Sequence, residues 1–353
     1  MKLLLWTSVL LAAVWAAYWG ADKLSDPLQK LRMQWGLSEA AGAAFIALAT
    51  ASPEIGTNTV SAFQGLADIG LGNLLGSNII SVPAIVTVAY LASQTRSANQ
   101  NQHSEELNSD EEEDFSRPNT PQLNVLSSWT ELRVKPEALT VQAIPYLIAI
   151  ALVAALTVPE PWRGLQPIDG WIMGVAYLIY VGQAILRGRQ EGQTVRWRKG
   201  ELGVALGGIL ALAIGAYFVV AATERIVTIL GISELIGGLF ITSTLSIAPE
   251  VFATWSVARS GQMTAATTSV IADNTATMTL AFFPLALVGI PIENFALFSV
   301  NLGFVALLAA LYSAFIQWGK RKYSFELWEV ATLIVVYFIY LAIVLIGILK
   351  VFT

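Results

Sequence analysis

Apolar residues gather along this chain in runs near twenty residues long, separated by short charged or turn-rich breaks. The runs fall near 3–21, 37–64, 68–93, 139–158, 169–187, 201–223, 234–258, 264–290, 293–317 and 327–350. A helix of about twenty such residues crosses a bilayer core of about 30 Å, so the pattern predicts ten transmembrane helices in an all-α polytopic membrane protein. The first run, which follows Lys2, outlasts the roughly 7–15 apolar residues of a signal-peptide core and reads as a retained first span. One polar stretch, 94–138, interrupts the series and carries Glu105, Glu106, Asp110, Glu111, Glu112, Glu113 and Asp114. It lacks the alternating ligands, central Gly and closing Glu of an EF-hand loop, so it reads as a disordered acidic linker rather than a regulatory Ca²⁺ site.

Composition supports the same class. Of 353 residues, 55% are hydrophobic and 13% charged, against about 25% charged in an average soluble domain, which excludes a soluble globule. There is no Cys, and His103 is the sole His, which removes disulfides, thiol nucleophiles and zinc sites. The net charge of −5 reflects the one acidic stretch and gives no surface for nucleic acid. Basic residues set the orientation. With the N-terminus outside, the cytoplasmic connections collect 16 of the 20 Lys and Arg, and Lys2, Arg163, Arg225 and Lys350 fall on the other face. Both termini are therefore expected outside the cytoplasm, in what reads as a plasma (inner) membrane.

The chain resembles itself. Ala51-Ser52-Pro53-Glu54 recurs as Ile247-Ala248-Pro249-Glu250 at a displacement of 196, which also carries Gly65 onto Gly261 and Asn78 onto Asn274. Gly36-Leu37-Ser38-Glu39 matches Gly231-Ile232-Ser233-Glu234 at 195, so one gap near Gly42 reconciles the two. Five spans per half is an odd number, so the halves enter the membrane inverted. The organisation read from this is a first repeat over 1–93 and 139–188, the acidic loop 94–138, a basic linker 189–200, and a second repeat over 201–353. Proline removes a backbone donor and clashes with the preceding turn, so Pro53 and Pro249 are expected to break helices 2 and 7 and free carbonyls there.

Polar residues line the same region. Ala47, Thr50, Glu54 and Asn58 share one face of span 2, and Ser243, Ser246, Glu250 and Thr254 repeat it in span 7. In span 3, Asn73, Ser77 and Ser81 are related by the repeat to Ser269, Asp273 and Thr277 in span 8. A carboxylate at the bilayer centre costs about 2.5–3.5 kcal/mol, so Glu54, Glu250 and Asp273 facing lipid would cost roughly 8–10 kcal/mol together. They must face one another or water. These stripes hold no Lys or Arg, so a bound cation is the missing partner, and an all-oxygen site suits a hard ion such as Ca²⁺ or Na⁺. Like charges crowded together also attract protons, which makes H⁺ a competitor. Asp68 and Thr264 read as helix caps, and Glu39 and Glu234 as acids at helix entrances. Trp6, Trp15, Trp162, Trp171 and Trp328 read as an interfacial belt.

These residues resemble the cation/Ca²⁺ exchanger superfamily, and its sodium/calcium exchanger branch in particular, whose two repeats look like GTSxPE followed by GxxDxxxGNxxGSN. Here the first repeat reads Ala49-Thr50-Ala51-Ser52-Pro53-Glu54, then Gly65-Leu66-Ala67-Asp68-Ile69-Gly70-Leu71-Gly72-Asn73-Leu74-Leu75-Gly76-Ser77-Asn78. The resemblance implies that Glu54 and Glu250 are central Ca²⁺ ligands. It adds Thr50, Ser77 and the Ala47 backbone in the first half, and Ser246, Asp273 and the Ser243 backbone in the second. Asn78, Asn274, Ser81 and Thr277 complete the candidate set on spans 3 and 8. The second repeat departs from the pattern, with Leu245-Ser246-Ile247-Ala248-Pro249-Glu250 for GTSxPE and Ala272-Asp273-Asn274 for GSN. Ala51 and Ile247 lack a hydroxyl that helps form the family's sodium sites. Asp273 adds an acid one helical turn before Thr277, where relatives often carry theirs.

The reading is a secondary-active antiporter rather than an enzyme, exchanging Na⁺ for Ca²⁺ by alternating access, with H⁺/Ca²⁺ exchange as the alternative. It needs no cofactor. Its partners are the lipid bilayer and the transported Ca²⁺, Na⁺ or H⁺, with no protein partner evident. A cation channel is a third reading. An intramembrane aspartyl protease would need two apposed Asp residues, and only Asp273 lies deep in a span.

Overall fold

In the computed structural model, the structure describes residues 1–37, 47–109, 132–133, 142–187, 191–197, 200–259, 263–319 and 322–349. These are nearly all helical. In chain order they form α1 (Lys2–Gln34), α2 (Ser52–Gln64), α3 (Ala67–Ser109), a short strand β1 (Leu132–Arg133), α4 (Ile144–Thr157), α5 (Pro167–Arg187) and α6 (Glu201–Leu230). A seventh helix, α7, spans Glu234–Arg259. The eighth, α8, comprises Met263–Ala276, Thr277–Ala281 and Phe282–Leu287; α9 (Phe295–Trp318), β2 (Ser324–Phe325) and α10 (Leu327–Ala342, continued by Ile343–Ile348) follow. Within the described residues, eight helices are long and apolar enough to cross a membrane. The two others expected to span, α2 and α4, are 13 and 14 residues long as described.

Several expectations change. The first helix runs on to Gln34, well past the apolar run ending near 21, and carries Lys23, Lys30 and Arg32 on its extension. The stretch expected to be a disordered linker from 94 onward is helical through Ser109, because α3 simply continues. Near its other end, Leu132 and Arg133 pair antiparallel with Phe325 and Ser324. Residues 110–131 lie outside the described residues. Asp68 stands inside the first turn of α3, not at the cap, where it still faces the positive end of the helix dipole. Thr264 likewise lies within α8. Ser233 caps α7 through its side chain, with Glu234 in the first turn as expected, and Glu39 is outside the described residues.

The sequence repeat is visible in the backbone. Gly36 and Gly231, matched by sequence, both take left-handed φ (62° and 68°) just after α1 and α6. Each is followed by the same closing bond, Leu37 N–H to Arg32 carbonyl at 3.0 Å and Ile232 N–H to Val227 carbonyl at 3.1 Å. This is the Schellman ending, for which glycine has no steric penalty. Two pairs of helices in equivalent positions, α1 with α6 and α3 with α8, run antiparallel. A side chain at Gly20 would strike the backbone at Gly208 and Leu212, and one at Gly215 would strike Ala17 and Ala13, so positions rise on α6 as they fall on α1. In α3 and α8, Ser81 meets Asn274 and Asn78 meets Thr277, again in opposite directions.

The centre of the molecule is α3 against α7 and α8. In α3 and α8, 72% and 78% of the apolar window is buried, against 22% for α1 and 17% for the last helix. Small residues make the crossings close. A Cβ at Gly72 or Gly76 would collide with Leu235, Leu239 or Ser243 of α7, and one at Gly238 with the backbone of Ile69 and Asn73. Such packing is how membrane helices associate where lipid removes the hydrophobic drive between them. The α1/α6 pair keeps a separate apolar cluster, built on Leu10, Ala13, Val219, Ala222 and Ile226. Of the five tryptophans expected at the interface, Trp15, Trp162, Trp171 and Trp328 are exposed by half or more, whereas Trp6 is half-buried against the α1/α6 cluster.

Candidate functional site

The two proline-glutamate helices differ in form. In the first half, residues 47–50 are helical, Ala51 turns, and α2 starts afresh at Ser52 with Pro53 in its first turn. Proline fits there because a first-turn N–H has no intrahelical partner to lose. Thr50 donates to the Ala47 carbonyl at 3.3 Å and the Ala51 N–H donates to the same oxygen at 2.8 Å. Both lone pairs of this expected backbone ligand are therefore engaged. In the second half the expected break at Pro249 is not found. Helix continues from Ser243 to Arg259 straight through it. The irregularity lies upstream instead, as a π-helical segment at Gly237–Thr242, where the glycines admit α3. Widened turns of this kind are frequent at functional sites.

The three acids are brought into one neighbourhood. Asp273 lies close enough to both glutamates, and Glu54 to Glu250, for each to feel the others' charge, and the Thr50 hydroxyl neighbours the Asp273 carboxylate. Glu54 is 2% exposed and Asp273 4%, while Glu250 is half-buried. Glu54 Oε2 and Asp273 Oδ1 are buried with no hydrogen-bond partner, an expensive state for a carboxylate unless something else neutralises it. The ion pairs of the described residues, Lys23–Asp22, Lys30–Glu201 and Arg163–Glu160, leave all three acids out. The acids do not close into a cage by themselves, since among the described residues no three Asp, Glu or His side chains converge tightly enough to hold a metal. A cation here would draw on hydroxyl, amide and carbonyl oxygens as well.

Such oxygens surround the acids in two networks. Asn73 donates to Asn58 Oδ1 (3.2 Å), Asn58 donates to the Ala281 carbonyl (3.3 Å), and Ser246 donates to Asn73 Oδ1 (3.3 Å), which links α2, α3, α7 and α8. Deeper on α3 and α8, Asn78 donates to Thr277 Oγ1 at 3.0 Å and Asn274 donates to Ser81 Oγ at 2.8 Å. These two bonds exchange under the displacement of 196 and form a reciprocal pair between the halves. Tyr146 of α4 donates to Asn78 Oδ1 at 2.9 Å and has Asn274 beside it. Asn78 Nδ2 also donates to the Leu74 carbonyl at 2.8 Å. Asn78, Asn274, Ser81 and Thr277 are thus occupied with one another.

Ser77 and Ser243 behave differently. Their hydroxyls donate back to Leu74 and Leu239 of their own helices, which spends the proton and leaves oxygen lone pairs for a cation. Both are buried, at 7% and 1%. Thr50 thus stands with the three acids, while Ser246 reaches Asn73 of α3 and Ser243 lies against Gly76. Asn58 and Asn73 lay on the expected stripes but outside the candidate set, and their burial in pairs was not legible from spacing. Tyr146 and Tyr18 were missed altogether. Tyr18 of α1 donates to the Pro249 carbonyl at 3.4 Å, and a lone tyrosine in an apolar span gives no signal of that.

Residues 5–186 and 201–346 match the family described as sodium/calcium exchanger protein. The chain belongs to that family. Membership makes it a multi-pass membrane cation exchanger, as the sequence resemblance led us to expect. Among solved structures, the fold is similar to the sodium-calcium exchanger NCX_Mj soaked with 10 mM Na⁺ and zero Ca²⁺, with a TM-score of 0.62 at 17% identity over 96% of this chain and 99% of that one. The same exchanger soaked with 10 mM Na⁺ and 10 mM Sr²⁺ gives 0.63 at 18% identity, over 96% and 98%. The H⁺/Ca²⁺ exchanger CAX gives 0.69 at 13% identity, over 96% of this chain and 80% of that one. At these identities the likeness speaks for the fold. No match was found among curated proteins.

Proposed function

We propose that this exchanger is a secondary-active antiporter that moves Ca²⁺ against Na⁺ by alternating access around one deep site. Its ten spans form two inverted five-helix repeats. The observation that carries the reading is the pair of partnerless buried oxygens, Glu54 Oε2 and Asp273 Oδ1, beside Glu250 and without a Lys or Arg ion pair. Glu54, Glu250 and Asp273 supply the charge, and Thr50, Ser77, Ser246 and Ser243 supply neutral oxygens. Asn78, Asn274, Ser81 and Thr277 hold α3 to α8 around them. The antiparallel α1/α6 and α3/α8 pairs support the inversion.

Both termini lie outside the cytoplasm of a plasma membrane in this reading, as the basic residues direct. H⁺/Ca²⁺ exchange is the second reading. It is favoured by Ala51 and Ile247, which lack the hydroxyls of the matching motif positions, and by carboxylate oxygens free to take a proton.

The test is uptake of radioactive Ca²⁺ into proteoliposomes loaded with Na⁺, or with acidic Na⁺-free buffer, and diluted into neutral Na⁺-free medium. Uptake driven by Na⁺ supports the first reading, and uptake driven by the proton gradient alone replaces it with the second. Absence of both sinks Ca²⁺ as the substrate.

A further inference from the structure

Tyr18 is a polar side chain that α1 sends to the site, and it meets the site at one particular atom. Its hydroxyl donates to the carbonyl of Pro249. That carbonyl belongs to the peptide whose N–H is Glu250's own, so the phenol adds a second restraint, beside the helical ladder of α7, on the plane from which the Glu250 side chain hangs. Among the acids that act on the phenol by charge, Glu250 comes first, ahead of Asp22, Glu54 and Asp273. Tyr18 is half-buried, between Ala17 and Ala21 on the packed face of α1, both 3% exposed, and the outward Trp19.

The other half has no equivalent. Ahead of the gap near Gly42 the displacement is 195, which carries position 18 onto Ala213, an exposed residue with no side-chain donor. Around Gly56, two residues beyond Glu54, α6 presents the alkyl side chains of Leu212 and Ala216. One glutamate is thus backed by carbon, and the other has its backbone held by a phenol from a different helix.

We propose that Tyr18 is a positioning residue for Glu250, which it orients through the Pro249 carbonyl and so sets the cation affinity of the second-half ligand. This rests on the cation site proposed above. A single hydrogen bond of this kind, once removed, changes affinity by about three- to tenfold.

Tyr18→Phe deletes one oxygen and keeps the ring, so it tests the bond without emptying the space. In the proteoliposome assay the variant is expected to raise the KM for the driven cation uptake by about three- to tenfold, while Vmax stays within about twofold. Trp15→Phe, on the exposed face of the same helix, serves as control and leaves both unchanged. Tyr18→Cys gives a second readout, because the chain has no Cys and the new thiol is unique. Its reaction with a membrane-impermeant cationic thiol reagent is expected to slow when Ca²⁺ is added.

Unchanged KM in the Tyr18→Phe variant, with wild-type exchange intact, overturns the positioning role and leaves the proposed function standing. A fall in Vmax at constant KM also overturns it, since that is the mark of a merely structural contact. Failure of the wild-type protein to exchange Ca²⁺ under either gradient removes the site reading, and this proposal with it.

Discussion

Ser52-Pro53-Glu54 and Ala248-Pro249-Glu250 occupy the same place in the two halves of the chain, yet the first interrupts its helix and the second lies inside an unbroken one. The prolines are chemically identical, so the difference comes from what surrounds them. Ala49 and Ala51 are fully buried, and Ala51 turns with its N–H and the Thr50 hydroxyl both spent on one carbonyl. In α7 the departure from regular helix has moved upstream to Gly237–Thr242, where α3 presses its backbone against Gly238. The acids inherit the contrast, with Glu54 sealed and Glu250 half-buried. A proline thus licenses a break that packing decides where to place.

The strongest challenge to this contrast is to remove the charges. Glu54→Gln is expected to lower Ca²⁺ uptake by at least about a hundredfold, because the loss of one partner from a buried charge cluster costs roughly 3–5 kcal/mol. Glu250→Gln is expected to do the same despite its greater exposure. Substantial uptake by either variant, measured beside wild type in proteoliposomes, would mean that the two acids do not share one cation.

A smaller effect tests the prolines themselves. Pro53→Ala lets residues 47–50 join α2 as one helix, and uptake is expected to fall about tenfold. Pro249→Ala adds one backbone hydrogen bond to a helix that is already continuous, and uptake is expected to stay within about twofold. Equal effects in the two variants would show that the break at Ala51 has no part in transport.

The glycine crossing comes next. Gly238→Val would drive a branched side chain into the Ile69 and Asn73 backbone, which overpacking places at about 1–3 kcal/mol. Gly203→Val, with nothing within 4 Å of its Cβ position, is the open-space control. The temperature at which the detergent-purified protein loses its monodisperse peak should fall for the first variant and hold for the second.

How far the sequence reaches follows from these same residues. The family, the helical class and the polar region were legible because Pro-Glu pairs, Asn78 and Asn274 recur at a fixed displacement. Helix periodicity put Thr50 and Ser246 on one face with their acids. The continuous path of α7 was not legible, since it depends on glycines in contact with another helix rather than on the proline. Nor was the occupation of Asn78, because Tyr146 reaches it from a helix that shows no polar stripe. The extension of α3 to Ser109 defeated a composition argument that weighs acids and amides without asking whether a preceding helix propagates into them.

The finest comparison sets the two asparagines against each other. Asn78 and Asn274 are repeat mates, and each donates to the hydroxyl that the other's half supplies. If symmetry alone fixed their worth, alanine at either place would cost the same. But Asn78 also donates to the Leu74 carbonyl and accepts from Tyr146, so its loss strands a buried phenol as well as Thr277. A buried polar group left without its partner costs about 1–3 kcal/mol. Asn78→Ala is therefore expected to destabilise by about 2 kcal/mol and Asn274→Ala by about 1 kcal/mol, read in the same thermal assay. Adding Tyr146→Phe should restore more of the Asn78→Ala loss than of the Asn274→Ala loss, because the phenol donates to Asn78 and only neighbours Asn274. Equal losses with no rescue would instead return both amides to the cation, as ligands whose absence is felt in transport rather than in stability.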